Sequence, residues 1–221
     1  MNKKILFIIN NLFIFITTAI AVPVTLIFGS RAVRIDNIDS PYWMQIITFT
    51  LLSNIFLGIV AFFAFIIGLK KRKKTLPKNL STWYLVAASS AMLTFLTVIL
   101  FLAPTRAFNG KNYFDMLLEP MFFLHFLNPL LAAITFIFFT DHKINLKARL
   151  LAVLPIAIYA IPYILCVVVF KIWPDFYGVT FGGRYYLTPL VFLVFCLVLF
   201  GISSALAFLH NKKLQKTPKI C

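Results

Sequence analysis

The sequence predicts an all-α integral membrane protein, a bundle of six transmembrane helices with both termini on the cytoplasmic side. Its composition is 62% hydrophobic and 12% charged, with a mean hydropathy of +0.95, whereas soluble domains are about 45–50% apolar and about 25% charged. Six apolar stretches are long enough to cross a bilayer core, which takes roughly 20 residues per helix. The basic residues are also divided unevenly between alternate connections, which predicts the orientation.

The six predicted spans form one polytopic membrane domain, residues 1–221. Their approximate bounds are 5–28, 43–69, 83–102, 116–139, 150–170 and 187–209. No connection between them is long enough to fold as a soluble domain. The small-residue spacings Ala87xxxAla91 and Gly201xxxAla205 predict close helix contacts.

The basic residues favour one orientation in the cell membrane. Of the 21 Lys and Arg residues, 15 lie at the N-terminus, in the second and fourth connections and in the tail, and six lie in the other connections. Cytoplasmic connections carry the excess of Lys and Arg. We therefore expect a multi-pass protein of the cell membrane, with the first, third and fifth connections outside.

The first span has a second interpretation. Lys3 and Lys4, an apolar run and the small residues of Ala19-Ile20-Ala21 are also typical of a cleaved signal peptide. Cleavage would leave five spans. The apolar run continues to Phe28, which gives a helix of full span length and favours retention.

The expected partners are membrane lipids and not nucleic acid, because the basic residues form short runs between apolar stretches instead of one face. The run Lys70–Lys74 fits either a topology determinant or a site for anionic headgroups. No glycine-rich phosphate loop, HExxH or GxSxG motif is present, and the three cysteines lack metal-site spacing. We expect no metal and no other cofactor, and the oligomeric state is not predicted.

The second span carries one polar stripe. Thr50, Ser53 and Asn54 stand at positions i, i+3 and i+4, with Gly58 one turn further, in a helix made mostly of Ile, Leu and Phe. This stripe should face the bundle interior, because lipid cannot satisfy polar groups. It serves either helix packing or a site.

The fourth span contains the only histidine within an apolar span, His125, followed by Asn128 and Pro129. Pro129 has no N–H, so a regular helix would leave the His125 carbonyl without its partner and bend. His125 is either a neutral residue held by Asn128 or a hydroxyl, or a general base.

Depth makes a pair of these residues geometrically feasible. Counted from the predicted span starts, Thr50 and His125 lie at about the same level, roughly 10–14 Å below the outer edge. We expect the two spans to be neighbours, with Thr50 facing His125 and Ser53 as the alternative hydroxyl. Asn54 or Asn128 would position the imidazole.

Phe49-Thr50-Leu51-Leu52-Ser53-Asn54 and His125-Phe126-Leu127-Asn128-Pro129 resemble the FTxxSN and HxxxP segments of the androgen-induced-gene / FAR-17a type of multispan membrane protein and its bacterial relatives. The animal members hydrolyse fatty acid esters of hydroxy fatty acids through an intramembrane threonine and histidine. The resemblance implies that Thr50 is the nucleophile and His125 its base.

Two functions of different class remain open at this point. The first is a lipid ester hydrolase in which Thr50 attacks the ester, His125 accepts the proton, and Ser53 or Asn54 donates to the oxyanion. The second is a non-catalytic membrane protein: a partner-binding or structural bundle, or a small carrier of lipids or solutes.

Overall fold

The computed structural model describes residues 3–29, 42–70, 76–175 and 177–216. These residues contain six helices long and apolar enough to cross a membrane, which confirms the predicted six-helix, all-α fold. Their bounds are α1 Lys3–Phe28, α2 Phe49–Lys70, α3 Lys78–Phe108, α4 Pro120–Phe139, α5 Leu146–Val169 and α6 Tyr185–Gln215.

Helix α3 occupies the centre of the bundle and packs against α2, α4, α5 and α6, while α1 packs against α2 and α4. The chain can surround α3 closely because its middle consists of small residues. Residues 87–91 read Ala-Ala-Ser-Ser-Ala and are all fully buried, and small side chains let helix backbones approach. The contact predicted from Ala87xxxAla91 is therefore confirmed. Gly201, by contrast, faces open space.

The two ends of the bundle carry alternate connections. The upper end carries the described residues 42–48, 109–119, 170–175 and 177–184, and the lower end carries the described residues 76–77 and 140–145. Helices α2, α4 and α6 begin at the upper end. Thr50 and His125 both lie near it, as the second residue of α2 and the sixth of α4.

Two helices start later than predicted. Helix α2 begins at Phe49 and not near residue 43, because Thr48 caps it: the Thr48 hydroxyl accepts from the Leu51 N–H at 3.4 Å and donates to the Gln45 carbonyl at 2.8 Å. Helix α4 begins at Pro120 and not at residue 116. Glu119 before it has φ +58°, and a residue that precedes proline is pushed out of the helical region.

Two other helices are longer than predicted. Helix α3 covers Lys78–Phe108 instead of 83–102, and α6 covers Tyr185–Gln215 instead of 187–209. Hydropathy marks the apolar part of a helix, whereas lysine and glutamine also favour helix and extend it into the solvated ends. Helix α5 is interrupted at residues 152–153, where Pro155 lacks the N–H for a continuous ladder.

The lower end is held together by polar side chains of α6. Asn211 accepts from the Ile144 N–H and donates to the Ile144 carbonyl, both at 2.9 Å. The fully buried His210 places Nε2 at 3.0 Å from the His142 carbonyl. These bonds fix the connection 140–145 against α6.

Candidate functional site

A wide turn in α4 decides which backbone carbonyl is free at the upper end. Residues Phe123–Leu127 form a π-turn in which the Asn128 N–H bonds the Phe123 carbonyl. The Leu124 carbonyl therefore loses its usual partner, and the next residue in π register, Pro129, has no N–H. Asn54 of α2 satisfies this carbonyl through its Nδ2, at 3.1 Å.

The freed carbonyl therefore belongs to Leu124 and not to His125, as a regular helix would require. The π-turn shifts the register by one residue, so the effect of Pro129 falls one position earlier. The same Asn54 Nδ2 also donates to the Thr50 carbonyl at 2.9 Å. Both protons of the amide are thereby used, and the two carbonyls lie at most about 6 Å apart.

The His125 ring is oriented by a backbone carbonyl. Its Nδ1 lies 2.7 Å from the Met116 carbonyl, and a carbonyl only accepts, so Nδ1 carries the proton. In the neutral ring Nε2 is then the acceptor, and it makes no hydrogen bond to any residue that the structure describes. Only 3% of His125 is exposed. The prediction that Asn54 or Asn128 orients the imidazole is therefore wrong. The Met116 carbonyl orients it instead.

Asn128 contacts α1 instead of the imidazole. Its Oδ1 accepts from the Thr17 hydroxyl at 2.7 Å, and its Nδ2 donates to the Thr18 hydroxyl at 3.1 Å. Asn128 is fully buried. It therefore ties α4 to α1, at the point where Gly58 of α2 also approaches Thr18.

The predicted polar stripe of α2 divides between two helices and a cleft. Ser53 is buried and its hydroxyl lies 3.2 Å from that of Thr94 on α3. Asn54 reaches α4 as described, which confirms that it hydrogen-bonds a neighbouring helix. Thr50 is half-buried and faces a cleft between α2, α3, α5 and α6.

This space, the upper cleft, is narrow and almost entirely apolar. Its empty space totals about 420 Å³, but the part wide enough for the centre of a water molecule amounts to about 30 Å³. No charged side chain lines it among the residues described. The lining residues are Phe49, Thr50, Leu93, Thr94, Thr97, Val98, Leu102, Ile156, Tyr159, Tyr177, Phe192 and Phe195.

Two tyrosines supply polar atoms to the upper cleft. The Tyr177 hydroxyl accepts from the Phe49 N–H at 2.7 Å, at the start of α2, and lies beside Thr50. Burial raises the pKa of Tyr177 to about 12, so it stays protonated at neutral pH. The Tyr159 hydroxyl is buried and makes no hydrogen bond of good geometry among the described residues, although Tyr177 lies next to it.

A carboxylate holds Tyr177 in place. Asp175 accepts four hydrogen bonds: from the Tyr163 hydroxyl and the Thr180 hydroxyl, both at 2.7 Å, from the Thr180 N–H at 2.8 Å, and from the Val179 N–H at 3.0 Å. Burial acts to raise the pKa of Asp175, but these hydrogen bonds outweigh it and the pKa falls below its usual value. The carboxylate thus anchors the connection 170–184 over the cleft.

The structure does not join Thr50 and His125 by a hydrogen bond. Thr50 lines the upper cleft, whereas His125 is not among the residues that line it. Their backbones are linked through Asn54. The catalytic pair therefore stays a prediction.

Sequence reasoning assigned no role to Asp175 or Tyr177. One signal was available. Asp175 is one of only six acidic residues in a strongly basic chain, and Thr180 and a glycine-containing turn follow it closely. Such a pattern is typical of a carboxylate that organises its own loop.

The chain matches no family model, no curated protein and no solved structure. The resemblance to the androgen-induced-gene / FAR-17a type accordingly rests on the segments Phe49–Asn54 and His125–Pro129. Within the described ranges, no group of three or more His, Cys, Asp or Glu side chains is placed to hold a metal ion.

Proposed function

We propose that this multispan membrane protein binds a lipid ester in the upper cleft. The observation that carries the proposal is the buried Tyr159 hydroxyl, which lies beside Tyr177 but makes no hydrogen bond of good geometry to any described residue, in a cleft with apolar walls. An unsatisfied buried donor costs about 1–3 kcal/mol, and buried polar groups in native proteins have partners. An ester carbonyl accepts such a hydrogen bond and brings no charge.

The walls of the cleft favour a neutral molecule with a hydrocarbon chain. Apart from hydroxyls, the lining is aliphatic and aromatic, and it includes no charged residue in the described part of the chain. A carboxylate or phosphate there would lose its hydration without a cation to replace it. The cleft is narrow, so the ligand has to part the helices slightly as it enters.

Binding of tritiated methyl oleate to the purified protein tests this proposal. Tyr159→Phe removes one neutral hydrogen bond, worth about 0.5–1.5 kcal/mol, and should weaken affinity by about twofold to tenfold. Tyr84→Phe is the matched control, because the Tyr84 hydroxyl is also buried without a hydrogen bond of good geometry among the described residues, but Tyr84 does not line the cleft. Equal losses in both variants, or no binding to the wild type, would refute the proposal.

Hydrolysis of the bound ester is the second candidate function, and the orientation of His125 favours it. A base whose Nδ1–H is held by a third group and whose Nε2 is available as acceptor matches the logic of nucleophile–base pairs. In the proposed step the Thr50 oxygen attacks the ester carbonyl, His125 Nε2 takes the hydroxyl proton and returns it to the leaving alcohol, and an acyl-threonine forms. A water molecule, deprotonated by the same nitrogen, then attacks the acyl group, so that the carboxylic acid leaves and Thr50 recovers its proton. Thr50 has to rotate toward His125 first.

The oxyanion donor proposed from the sequence needs revision in this scheme. Asn54 has already donated both amide protons, and the Ser53 hydroxyl bonds the Thr50 carbonyl at 3.1 Å and lies against Thr94. The Tyr159 hydroxyl belongs to the same cleft as Thr50 and, although it lies beside Tyr177, makes no hydrogen bond of good geometry to a described residue. It is therefore the donor that this mechanism would use.

A lipid-like fluorophosphonate probe separates the two functions. Labelling of the wild type that is lost in both Thr50→Ala and His125→Ala supports hydrolysis. A folded wild type that binds methyl oleate without being labelled supports binding alone.

The orientation remains the one predicted from charge, with the upper end outside the cell. Cys221 is a natural reporter, although it lies outside the described residues. An impermeant thiol reagent should label it only after lysis. Equal labelling rates on intact cells would invert the assignment.

A further inference from the structure

A second cavity, the lower pocket, lies between the start of α5 and the end of α6. It is lined by Arg149 of α5 and by Ser204, Asn211, Lys212 and Gln215 of α6, with neighbouring apolar atoms. Its empty space totals about 700 Å³, of which about 350 Å³ is wide enough for the centre of a water molecule. It is therefore much wider than the upper cleft, and its polar lining is different in kind.

Two donors in the lower pocket are buried without a partner. Arg149 Nε and the Ser204 hydroxyl oxygen are both inaccessible to solvent and make no hydrogen bond to any residue that the structure describes. Each such group carries a desolvation cost. Both residues line one cavity, so rotation of their side chains can turn both donors toward a single ligand with several acceptor atoms.

The charge at this end is positive and largely uncompensated. By the sequence, the connections and termini of the lower end hold fifteen basic residues and one acidic residue, Asp141. Asp141 lies 3.7 Å from Lys213 and does not line the pocket. Arg149 and Lys212 thus face the cavity with no carboxylate among its described lining residues.

We propose that the lower pocket binds a phosphate group of an anionic molecule. Arginine and lysine together supply the charge, and guanidinium and hydroxyl donors match the several oxygens of a phosphate. The amides of Asn211 and Gln215 complete a polar lining. This site is separate from the upper cleft and does not depend on the function proposed for it.

An anionic phospholipid headgroup fits the setting of the pocket. The pocket lies at the end of the bundle where helix ends meet the headgroup layer, and phosphate-bearing lipids are attracted there by about 1 kcal/mol per Lys or Arg. Phe208, which also lines the pocket, is 63% exposed and Leu150 next to Arg149 is 53% exposed. Acyl chains can therefore lie against the bundle beside the phosphate. Free phosphate offers the same chemistry without the chains.

The test measures binding to the purified full chain of three probes: dioctanoyl phosphatidic acid, dioctanoyl phosphatidylcholine and inorganic phosphate. We expect phosphatidic acid to bind and Arg149→Gln to weaken it by about fivefold to tenfold, because one charge and its hydrogen bonds are lost. Lys147→Gln is the matched control, since Lys147 makes the same charge change two residues away on an exposed site. It should alter affinity by less than about twofold.

Two further variants keep the result interpretable if Arg149→Gln folds poorly. Ser204→Ala leaves the charge unchanged and should weaken the binding of phosphatidic acid by about threefold. Arg149→Lys keeps the charge but loses Nε, so its affinity for phosphatidic acid should lie between those of the wild type and Arg149→Gln. Inorganic phosphate binding as tightly as the lipid would identify a free phosphate site of the same chemistry. Absence of binding by either phosphate probe, tighter binding of phosphatidylcholine, or equal losses in Lys147→Gln and Arg149→Gln would overturn the proposal.

Discussion

The upper cleft and the lower pocket both contain buried donors without partners, but they differ in width and charge. The upper cleft is narrow, and its described lining has no charge. Its buried donor is the Tyr159 hydroxyl, which makes no hydrogen bond of good geometry among the described residues. The lower pocket is wide, and its unpaired donors are Arg149 Nε and the Ser204 hydroxyl. The same physical observation therefore leads to a neutral ligand in one region and an anion in the other.

This difference shows that unsatisfied donors mark a site, while the surrounding charge decides what the site accepts. A neutral hydroxyl among apolar walls disfavours ions, because it does not compensate for the free energy that an ion loses when its hydration shell is removed. A guanidinium beside an ammonium favours an anion, because each bond is charge-assisted. Variants at one end should therefore leave ligand binding at the other end unchanged.

The largest expected effect concerns ester hydrolysis at the upper end. If His125 is the base, His125→Gln should slow hydrolysis of p-nitrophenyl octanoate by about 10²–10⁴-fold, because glutamine cannot accept and return a proton. Thr50→Val should abolish turnover and Thr50→Ser should retain part of it. Arg149→Gln in the lower pocket should not change the rate. Turnover by Thr50→Val at the wild-type rate would rule out Thr50 as the nucleophile.

The next largest effect concerns the two carboxylates that hold connections at opposite ends. Asp175→Asn should lower the free energy of unfolding by about 1–3 kcal/mol, because an amide turns a donor toward the Thr180 or Val179 N–H. Asp141→Asn should cost less than about 1 kcal/mol, since Asp141 forms only a partly exposed ion pair with Lys213. Denaturant unfolding of the detergent-solubilised protein measures both.

The same carboxylate predicts a pH dependence restricted to the upper end. The pKa of Asp175 is depressed in the fold, so its stabilisation is complete above the ordinary value of 3.8 and is lost as pH falls through the lower folded value. Hydrogen exchange of residues 173–184 should quicken in that acid range. The same segment of Asp175→Asn should show no such acid step.

An effect of similar size on stability should appear at the α1–α2 contact near Asn128. A Cβ on Gly58 would lie 2.9 Å from Thr18 Cγ2, and Thr18 cannot move freely because it accepts from Asn128. Gly58→Ala should therefore cost about 1–3 kcal/mol. Gly201→Ala meets nothing within 4 Å and should be neutral or slightly stabilising. Equal losses in the two variants would contradict the packing described.

The smallest effect is the response of each ligand to salt. Raising NaCl from about 50 mM to about 500 mM should weaken the binding of phosphatidic acid by about threefold, because added salt screens partly exposed charges. Methyl oleate affinity should stay within about 1.5-fold, since its site has no charge. A parallel salt dependence for both ligands would remove the distinction between the two regions.

Fold class and span number were predictable because the bilayer imposes length and hydropathy on every helix. Helix ends were less predictable. Thr48 and the Glu119–Pro120 step start helices by capping and by steric restriction, and both act inside apolar runs that hydropathy treats as uniform. The ends of α3 and α6 that carry charged residues were missed because they extend beyond the apolar runs that hydropathy detects.

The site was only partly predictable, since periodicity gives a face but not its neighbours. The α2 stripe was placed inside the bundle, yet Ser53 contacts α3, Asn54 contacts α4, and Thr50 faces the upper cleft. The π-turn in α4 redirected the free carbonyl from His125 to Leu124. No local pattern predicts that Arg149 and Ser204, 55 positions apart, line one pocket.

The central claim, that the upper cleft holds a lipid ester, is tested most directly by mapping crosslinks. Wild-type protein in phosphatidylcholine vesicles is irradiated with a diazirine-bearing methyl oleate, with and without excess unlabelled methyl oleate, and the modified peptides are sequenced. We predict that competition removes crosslinks at cleft residues such as Thr97 of α3 and Phe195 of α6. Crosslinks confined to exposed residues such as Ile158 and Leu193, unaffected by competitor, would contradict the account.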